Sequence, residues 1–142
     1  IDQCPTVAGT IANSGCPEVA IDEKSKEVFE NAMTGIQFET GKDVIKPSSY
    51  SILDNVVNVL KANTSWMVEV QGHTDNAGKY ESNKTLSQKR AVAVKKYLVN
   101  KGVNGDMLKP TGYGSDRPIA DNKTPAGKAK NRRVQFNVSS IK

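Results

Sequence analysis

Apolar residues recur along most of the chain at two different spacings, and these spacings predict its helices and strands. Spacings of three and four predict amphipathic helices over residues 22–33, 47–60 and 80–101. Every-second spacing predicts strands over residues 36–39, 66–71 and 134–138, and residues 107–113 form a weaker extended segment. Gly35, Gly72 and Gly102 are expected to end the elements before them.

The order of these elements predicts the fold class. After the first helix, the pattern reads β-α-β-α-β-β, with a long loop before the last strand and a short helix after Pro125. Helices that follow the first two strands act as crossover connections, which place helices on one face of a mixed sheet. The sequence therefore predicts an α+β fold, a two-layer sandwich.

The chain length and its N-terminal composition predict one domain preceded by an arm. A chain of 142 residues is long enough for a single core. Residues 1–20 are marked by Pro, Gly, Ser and Thr, so we expect a linker arm there and a domain over residues 21–142. The start lacks both a methionine and a basic leader. We expect a piece of a longer protein whose missing N-terminal part carries the membrane anchor.

Charge is distributed unevenly between the two halves of the chain. Residues 1–60 contain 4 Lys/Arg and 9 Asp/Glu, whereas residues 61–142 contain 16 and 6. A basic half favours an anionic partner such as nucleic acid, a lipid surface or an acidic polymer. A solvated, lysine-rich helix face is the equally open alternative.

One arginine of the third helix lies on the face that is expected to be buried. At 100° per residue, Arg90 shares that face with Asn83, Leu86, Val94 and Tyr97, while three lysines point to solvent. A guanidinium there needs a partner, and the nearest candidate is Asp75. Two interpretations remain open from the residues alone. One is an Asp75–Arg90 salt bridge that fixes the loop, and the other is a split site for a zwitterion.

Three ordered motifs carry a resemblance to a known family. They are GHTDNAG at residues 72–78, the series Asn83, Leu86-Ser87 and Arg90-Ala91, and NRRV at residues 131–134. Over roughly residues 36–138 the chain resembles the OmpA-like C-terminal domain, a periplasmic module that binds peptidoglycan. The resemblance implies non-covalent binding to the meso-diaminopimelate of the stem peptide. Asp75 would accept from its ammonium group and Arg90 would bind its carboxylate.

The same resemblance assigns supporting roles to further residues. Phe38 and Glu39 match the segment that supplies backbone N–H groups and a side wall, although Glu39 replaces a shorter residue. Thr74 and Asn83 match positions that frame the pocket. The remaining matches imply structural roles and fall on Asn131, Arg132, Ser87 and the lone His73.

An enzyme acting on the cell wall and a basic nucleic-acid-binding module are the alternative functions. His73 and Asp75 lack a nucleophile turn, and no paired acids for glycoside hydrolysis are evident. Aromatic residues make up only 6% of the chain, which disfavours base stacking on a nucleic acid. The sequence therefore predicts no enzyme, no cofactor, no metal and no nucleic-acid partner.

Two cysteines lie in the N-terminal arm. Cys4 and Cys16 occur in the pattern CP…GCP, which is not a zinc spacing. In an oxidising compartment they are expected to form a disulfide. The segment resembles the last cysteine-bearing turn of thrombospondin type 3-like repeats, but its calcium ligands are reduced to Asp2. Together with the OmpA-like motifs, this arm implies a periplasmic domain of an outer-membrane or outer-membrane-anchored protein.

Overall fold

Four helices and three strands follow one another along residues 22–39 and 41–141, which are the residues that this computed structural model describes. The helices are α1 (Glu23–Gly35), α2 (Tyr50–Ala62), α3 (Tyr80–Asn100) and α4 (Pro125–Asn131). The strands are β1 (Trp66–His73), β2 (Leu108–Gly114) and β3 (Arg133–Ile141). Short 3-10 turns precede α2 at Pro47–Ser49 and β2 at Gly105–Met107. No helix in this part of the chain is both long and apolar enough to cross a membrane.

The sheet is mixed, with β1 as its central strand. Its order is β2-β1-β3, in which β1 pairs in parallel with β2 and antiparallel with β3. Val68 and Val70 of β1 are buried towards the helices, where Phe29 of α1 stacks on Phe136 of β3 at 5.7 Å between ring centres. Helix α3 is the crossover from β1 to β2 and packs on both strands. The predicted α+β fold, with a mixed sheet and helices on one face, is confirmed.

Two glycines allow α3 to lie unusually close to the sheet. A Cβ on Gly72 would lie 2.1 Å from the carbonyl oxygen of Ser87, and one on Gly112 would lie 2.4 Å from the backbone nitrogen of Gln88. The Ser87 hydroxyl is fully buried, donates to the Lys84 carbonyl at 2.8 Å and accepts from the Gly114 N–H at 2.9 Å. The prediction that Gly72 ends β1 is therefore wrong, because the strand continues to His73. Gly72 lets the strand continue under the helix.

The predicted first strand does not join the sheet in the described residues. Residues 36–39 make a single bridge, Phe38 to Ile45, because the chain turns back at Gly41 with a φ of 70°. The returning chain satisfies the backbone locally: the Glu39 N–H donates to the Val44 carbonyl and the Lys46 N–H donates to the Gln37 carbonyl, both at 2.9 Å. We call residues 36–46 the 36–46 loop. This loop becomes one wall of the site.

The predicted element ends differ from the observed ones by up to three residues, as at the start of α2 and the end of β3, and α1 also differs. The side chain of Asp22 caps this helix by accepting from the Ser25 N–H at 3.2 Å. The helix continues through Gly35, beyond the predicted end at Met33. The predicted arm over residues 1–20 and the predicted Cys4–Cys16 disulfide lie outside the described residues.

Candidate functional site

Asp75 lies just beyond the end of β1 and is almost completely buried. Its residue exposure is 8%, and its Oδ1 accepts from the Ala77 N–H at 2.9 Å. Its Oδ2 accepts from Nη1 of Arg132 at 2.5 Å. The alternative of an Asp75–Arg90 salt bridge is therefore wrong. The partner of this carboxylate comes from the chain segment between α4 and β3.

The loop after β1 is held by two residues that the resemblance placed around the pocket. The Thr74 N–H donates to the Gly114 carbonyl at 2.8 Å, and its hydroxyl donates to the Asp75 carbonyl at 2.8 Å. Asn83, in the first turn of α3, donates from Nδ2 to the Ala77 carbonyl at 2.8 Å. Their polar groups stabilise the loop conformation that presents the Asp75 carboxylate.

Arg90 extends from α3 to the 36–46 loop. Its Nε donates to the Lys42 carbonyl at 2.9 Å, and Nη2 donates to the Glu39 carbonyl at 3.5 Å. Its guanidinium carbon lies 4.9 Å from the ring centre of Phe38, a cation–π arrangement. Among the described residues, no carboxylate lies within salt-bridge distance of Arg90. The half-buried guanidinium is thus bound to carbonyl groups but has no described anion as partner.

The electrostatic balance around Arg90 is positive. Burial lowers the pKa of Arg90 below its usual value, and the positive charge of Arg132 lowers it further. Asp43 and Asp75 act in the opposite direction. The positive charges of Arg90 and Arg132 therefore lie in one region. The carboxylate of Asp75 is already paired with Arg132. An anion placed beside Arg90 would be stabilised by both guanidinium groups.

The Glu39 contribution differs from the one that the resemblance implied. Its side chain is exposed, and its N–H is already bonded to Val44 within the loop. Glu39 supplies a carbonyl oxygen to Arg90 rather than a free N–H. Phe38, in contrast, does form a half-buried side wall against the guanidinium.

A cavity of about 640 Å³ lies between the 36–46 loop and the segment that contains α4. Arg90 and Arg132 both line it. Asp75 is not part of its lining, but its carboxylate is bonded to Arg132, which is part of it. Access to Asp75 therefore depends on the position of the Arg132 side chain, which is 47% exposed.

Three consecutive residues of the NRRV motif make different contacts. Asn131 is fully buried, and its Oδ1 accepts from the backbone N–H groups of Ile119 and Ala120 at 2.7 and 2.9 Å. Arg133 points inward and donates from Nη2 to the Arg117 carbonyl at 3.0 Å. Arg132 points outward into the site. The resemblance implied a structural role for Arg132. The alternating side-chain directions of the consecutive residues Arg132 and Arg133 were the signal that one of them faces the site.

His73 belongs to a hydrogen-bonded chain on the sheet face opposite the helices. It is 2% exposed, stacks on Tyr113 at 5.2 Å and lies with Nε2 2.9 Å from Oε1 of Gln71. The Gln71 amide nitrogen in turn donates to Glu69 at 2.7 Å. Because this fixes the Gln71 oxygen as an acceptor, we assign the His73 proton to Nε2. No nucleophile is among its contacts, and no described group of three His, Cys, Asp or Glu side chains is placed to hold a metal.

Burial should make folding stability depend on the protonation of His73. Burial, followed by the charges of Arg133 and Arg117, lowers its pKa from 6.5 to about 4, while Glu69 opposes them. The unfolded chain therefore binds this proton first, and stability is lost as the pH falls from about 6.5 towards 4. We expect the loss between pH 7.5 and 4.5 to be about 2–3 kcal/mol larger in the parent than in His73→Gln. Denaturant unfolding at both pH values measures this difference, and equal losses in both proteins would contradict it.

Comparison with known proteins places this site in a family. The model of the OmpA family matches residues 37–132. Outer membrane porin F of Pseudomonas aeruginosa is 38% identical over 143 residues, covering 99% of this chain and 39% of the porin. The peptidoglycan-binding protein ArfA of Mycobacterium tuberculosis is 45% identical over 111 residues, covering 77% of this chain and 34% of that protein. The chain thus spans about two-fifths or less of the length of these two relatives.

A solved structure shares the fold. The peptidoglycan-associated lipoprotein from Burkholderia pseudomallei superimposes with a TM-score of 0.68 at 26% identity, covering 78% of this chain and 92% of that one. With the family model covering most of the described residues, the chain belongs to the OmpA family.

Proposed function

We propose that this chain is a non-catalytic module that binds peptidoglycan without a covalent bond, through the meso-diaminopimelate of the stem peptide. The observation that carries the proposal is Arg90. It is half-buried, stacked on Phe38 and held by two carbonyl groups, yet no described carboxylate neutralises it. An ionic ligand is the simplest way to supply the missing negative charge.

The distal end of diaminopimelate has the chemistry that the two charged residues require. It is an amino-acid centre with one ammonium and one carboxylate. Two of the five N–H donors of Arg90 contact the loop carbonyls, which leaves donors for a carboxylate. A planar guanidinium can bind that carboxylate through two parallel hydrogen bonds.

Asp75 is the proposed partner of the ligand ammonium. An ionised carboxylate accepts at about four positions. Two of these are occupied, by the Ala77 N–H and by Arg132. The ammonium would use the remaining positions once the exposed side chain of Arg132 moves aside or shares the oxygen. Arg132 would then stay close enough to attract the ligand carboxylate.

The relatives support the same function and a cellular place for it. One of them is named as a peptidoglycan-binding protein, another as an outer membrane porin, and the solved relative as a peptidoglycan-associated lipoprotein. We propose that residues 21–142 form the binding domain and lie in the periplasm. Through a preceding part of the parent protein, the domain would tie the outer membrane to the cell wall.

Selectivity between diaminopimelate and lysine tests this proposal. Lysine at the same stem position offers the ammonium but no distal carboxylate, so Arg90 would be left without an anion in a partly desolvated place. An unpaired group of this kind costs more than a lost contact. We expect free meso-diaminopimelate to displace the protein from purified cell-wall sacculi at least about tenfold better than lysine, which corresponds to about 1.4 kcal/mol.

The competition should be run at low and at physiological salt, because general attraction by surface lysines weakens with salt whereas the discrimination should persist. Amidation of the distal carboxylate should weaken competition in the same direction. Equal competition by diaminopimelate and lysine would mean that Arg90 does not bind a carboxylate, and the proposed ligand would be wrong.

A further inference from the structure

The cavity continues well beyond the Asp75–Arg90 region. Its volume of about 640 Å³ is in the range of about 300–1,000 Å³ that suits ligands larger than one amino acid. Besides Arg90 and Arg132, its lining includes the apolar side chains of Met33, Ile36 and Ile119, and we call this part of the cavity the extension. One end of a diaminopimelate side chain would leave this part unfilled. The ligand that fits the whole cavity is therefore a longer piece of the stem peptide.

Two lysines also line the extension. Lys46 lines it from the 36–46 loop, and Lys130 lines it from α4. No Asp or Glu among the described residues belongs to the lining. The described hydrogen bonds and salt bridges leave both ammonium groups without a carboxylate partner. The extension thus combines apolar side chains with two cations, one from the 36–46 loop and one from α4.

Arg133 also lines the cavity, but its guanidinium is not available to a ligand. Arg133 donates from Nε to Gln135, from Nη1 to the Asn131 carbonyl and from Nη2 to the Arg117 carbonyl. Lys46 and Lys130 therefore provide the positive charge that a second anionic group could meet.

We infer that this extension binds a second carboxylate of the stem peptide, the α-carboxylate of the γ-linked D-glutamate that precedes diaminopimelate. The inference rests on the proposed function and deepens it. Because this D-glutamate is linked through its γ-carboxyl group, its α-carboxylate takes no part in the peptide bond and is free unless it is amidated. Its two methylene groups match the apolar wall, and its charge matches Lys46 and Lys130. It is also covalently next to the residue assigned to Asp75 and Arg90.

Calorimetric titration with two synthetic tripeptides tests the inference. One is L-Ala-γ-D-Glu-meso-diaminopimelate, and the other carries D-isoglutamine, so the two differ only in the charge of that carboxylate. We expect the parent protein to bind the charged tripeptide about fivefold more tightly, as partly exposed ion pairs allow. The double variant Lys46→Gln/Lys130→Gln should bind both tripeptides equally.

The matched control is Lys128→Gln, which removes a charge from the same helix but from outside the cavity lining. It should keep the fivefold preference. Free diaminopimelate should bind the double variant as it binds the parent. If parent and double variant show the same preference, or the parent shows none while free diaminopimelate still binds, the second carboxylate site is wrong and the proposed function stands. If free diaminopimelate does not bind at all, both fail.

Discussion

Replacing Arg90 with alanine is expected to lower the affinity for peptidoglycan by about 30-fold or more while the domain stays folded. Removing one member of a desolvated charge pair typically costs about 2–5 kcal/mol of binding free energy. The hydrogen bonds to the Lys42 and Glu39 carbonyls lie at a partly exposed loop, so their loss should lower the melting temperature only slightly. Sedimentation with purified sacculi, together with melting curves, measures both quantities.

Two further variants serve as controls for Arg90→Ala. Arg90→Lys keeps the charge but loses the planar fork, so it should recover only part of the affinity. Lys89→Ala removes an exposed charge from the adjacent position of α3 and should bind sacculi nearly as the parent does. A folded Arg90→Ala variant with the parent's affinity would remove Arg90 from the site.

Asp75→Asn is expected to cause a loss of similar size, because asparagine keeps the shape of the side chain but lacks the charge that holds an ammonium. The asparagine oxygen can still accept from the Ala77 N–H, so the loop should persist. The ion pair to Arg132 is lost, and the exposed position of that arginine limits the effect on stability. We expect about 30-fold weaker binding of free diaminopimelate, measured by calorimetry.

Asp116→Asn is the matched control for Asp75→Asn. Asp116 also forms a salt bridge, with Lys84 at 2.8 Å, but on the exposed surface outside the cavity lining. This variant should bind diaminopimelate as the parent does. If Asp75→Asn loses binding only in step with unfolding, Asp75 has a purely structural role.

The periodicity of the sequence was sufficient to predict most of the fold. The spacing in α3 predicted a helix over 80–101, with Arg90 on the buried face and Lys89, Lys95 and Lys96 in solvent. The helix is confirmed at Tyr80–Asn100, and Lys89 and Lys96 are exposed, whereas Arg90 and Lys95 are both half-buried. The predicted end at Gly102 also fits, since this glycine has a φ of 103° just after the helix. These features depend on residues close together in the chain, where local patterns carry the information.

Two features of the site were not predicted from the periodicity of the sequence. Asp75 was matched with Arg90 because the two are close in sequence, but its partner Arg132 is 57 residues away, between α4 and β3. The alternation over residues 36–39 predicted a strand, yet the turn at Gly41 satisfies those backbone groups within the loop. A tertiary contact decided the first case, and a local turn decided the second.

The structure of the domain bound to meso-diaminopimelate tests the central claim most directly. We expect the distal ammonium to lie within hydrogen-bond distance of the Asp75 carboxylate and the distal carboxylate to lie against the Arg90 guanidinium, with Arg132 displaced or sharing Oδ2. A complex in which diaminopimelate binds elsewhere, and Asp75 keeps only Arg132 and the Ala77 N–H as partners, would contradict it.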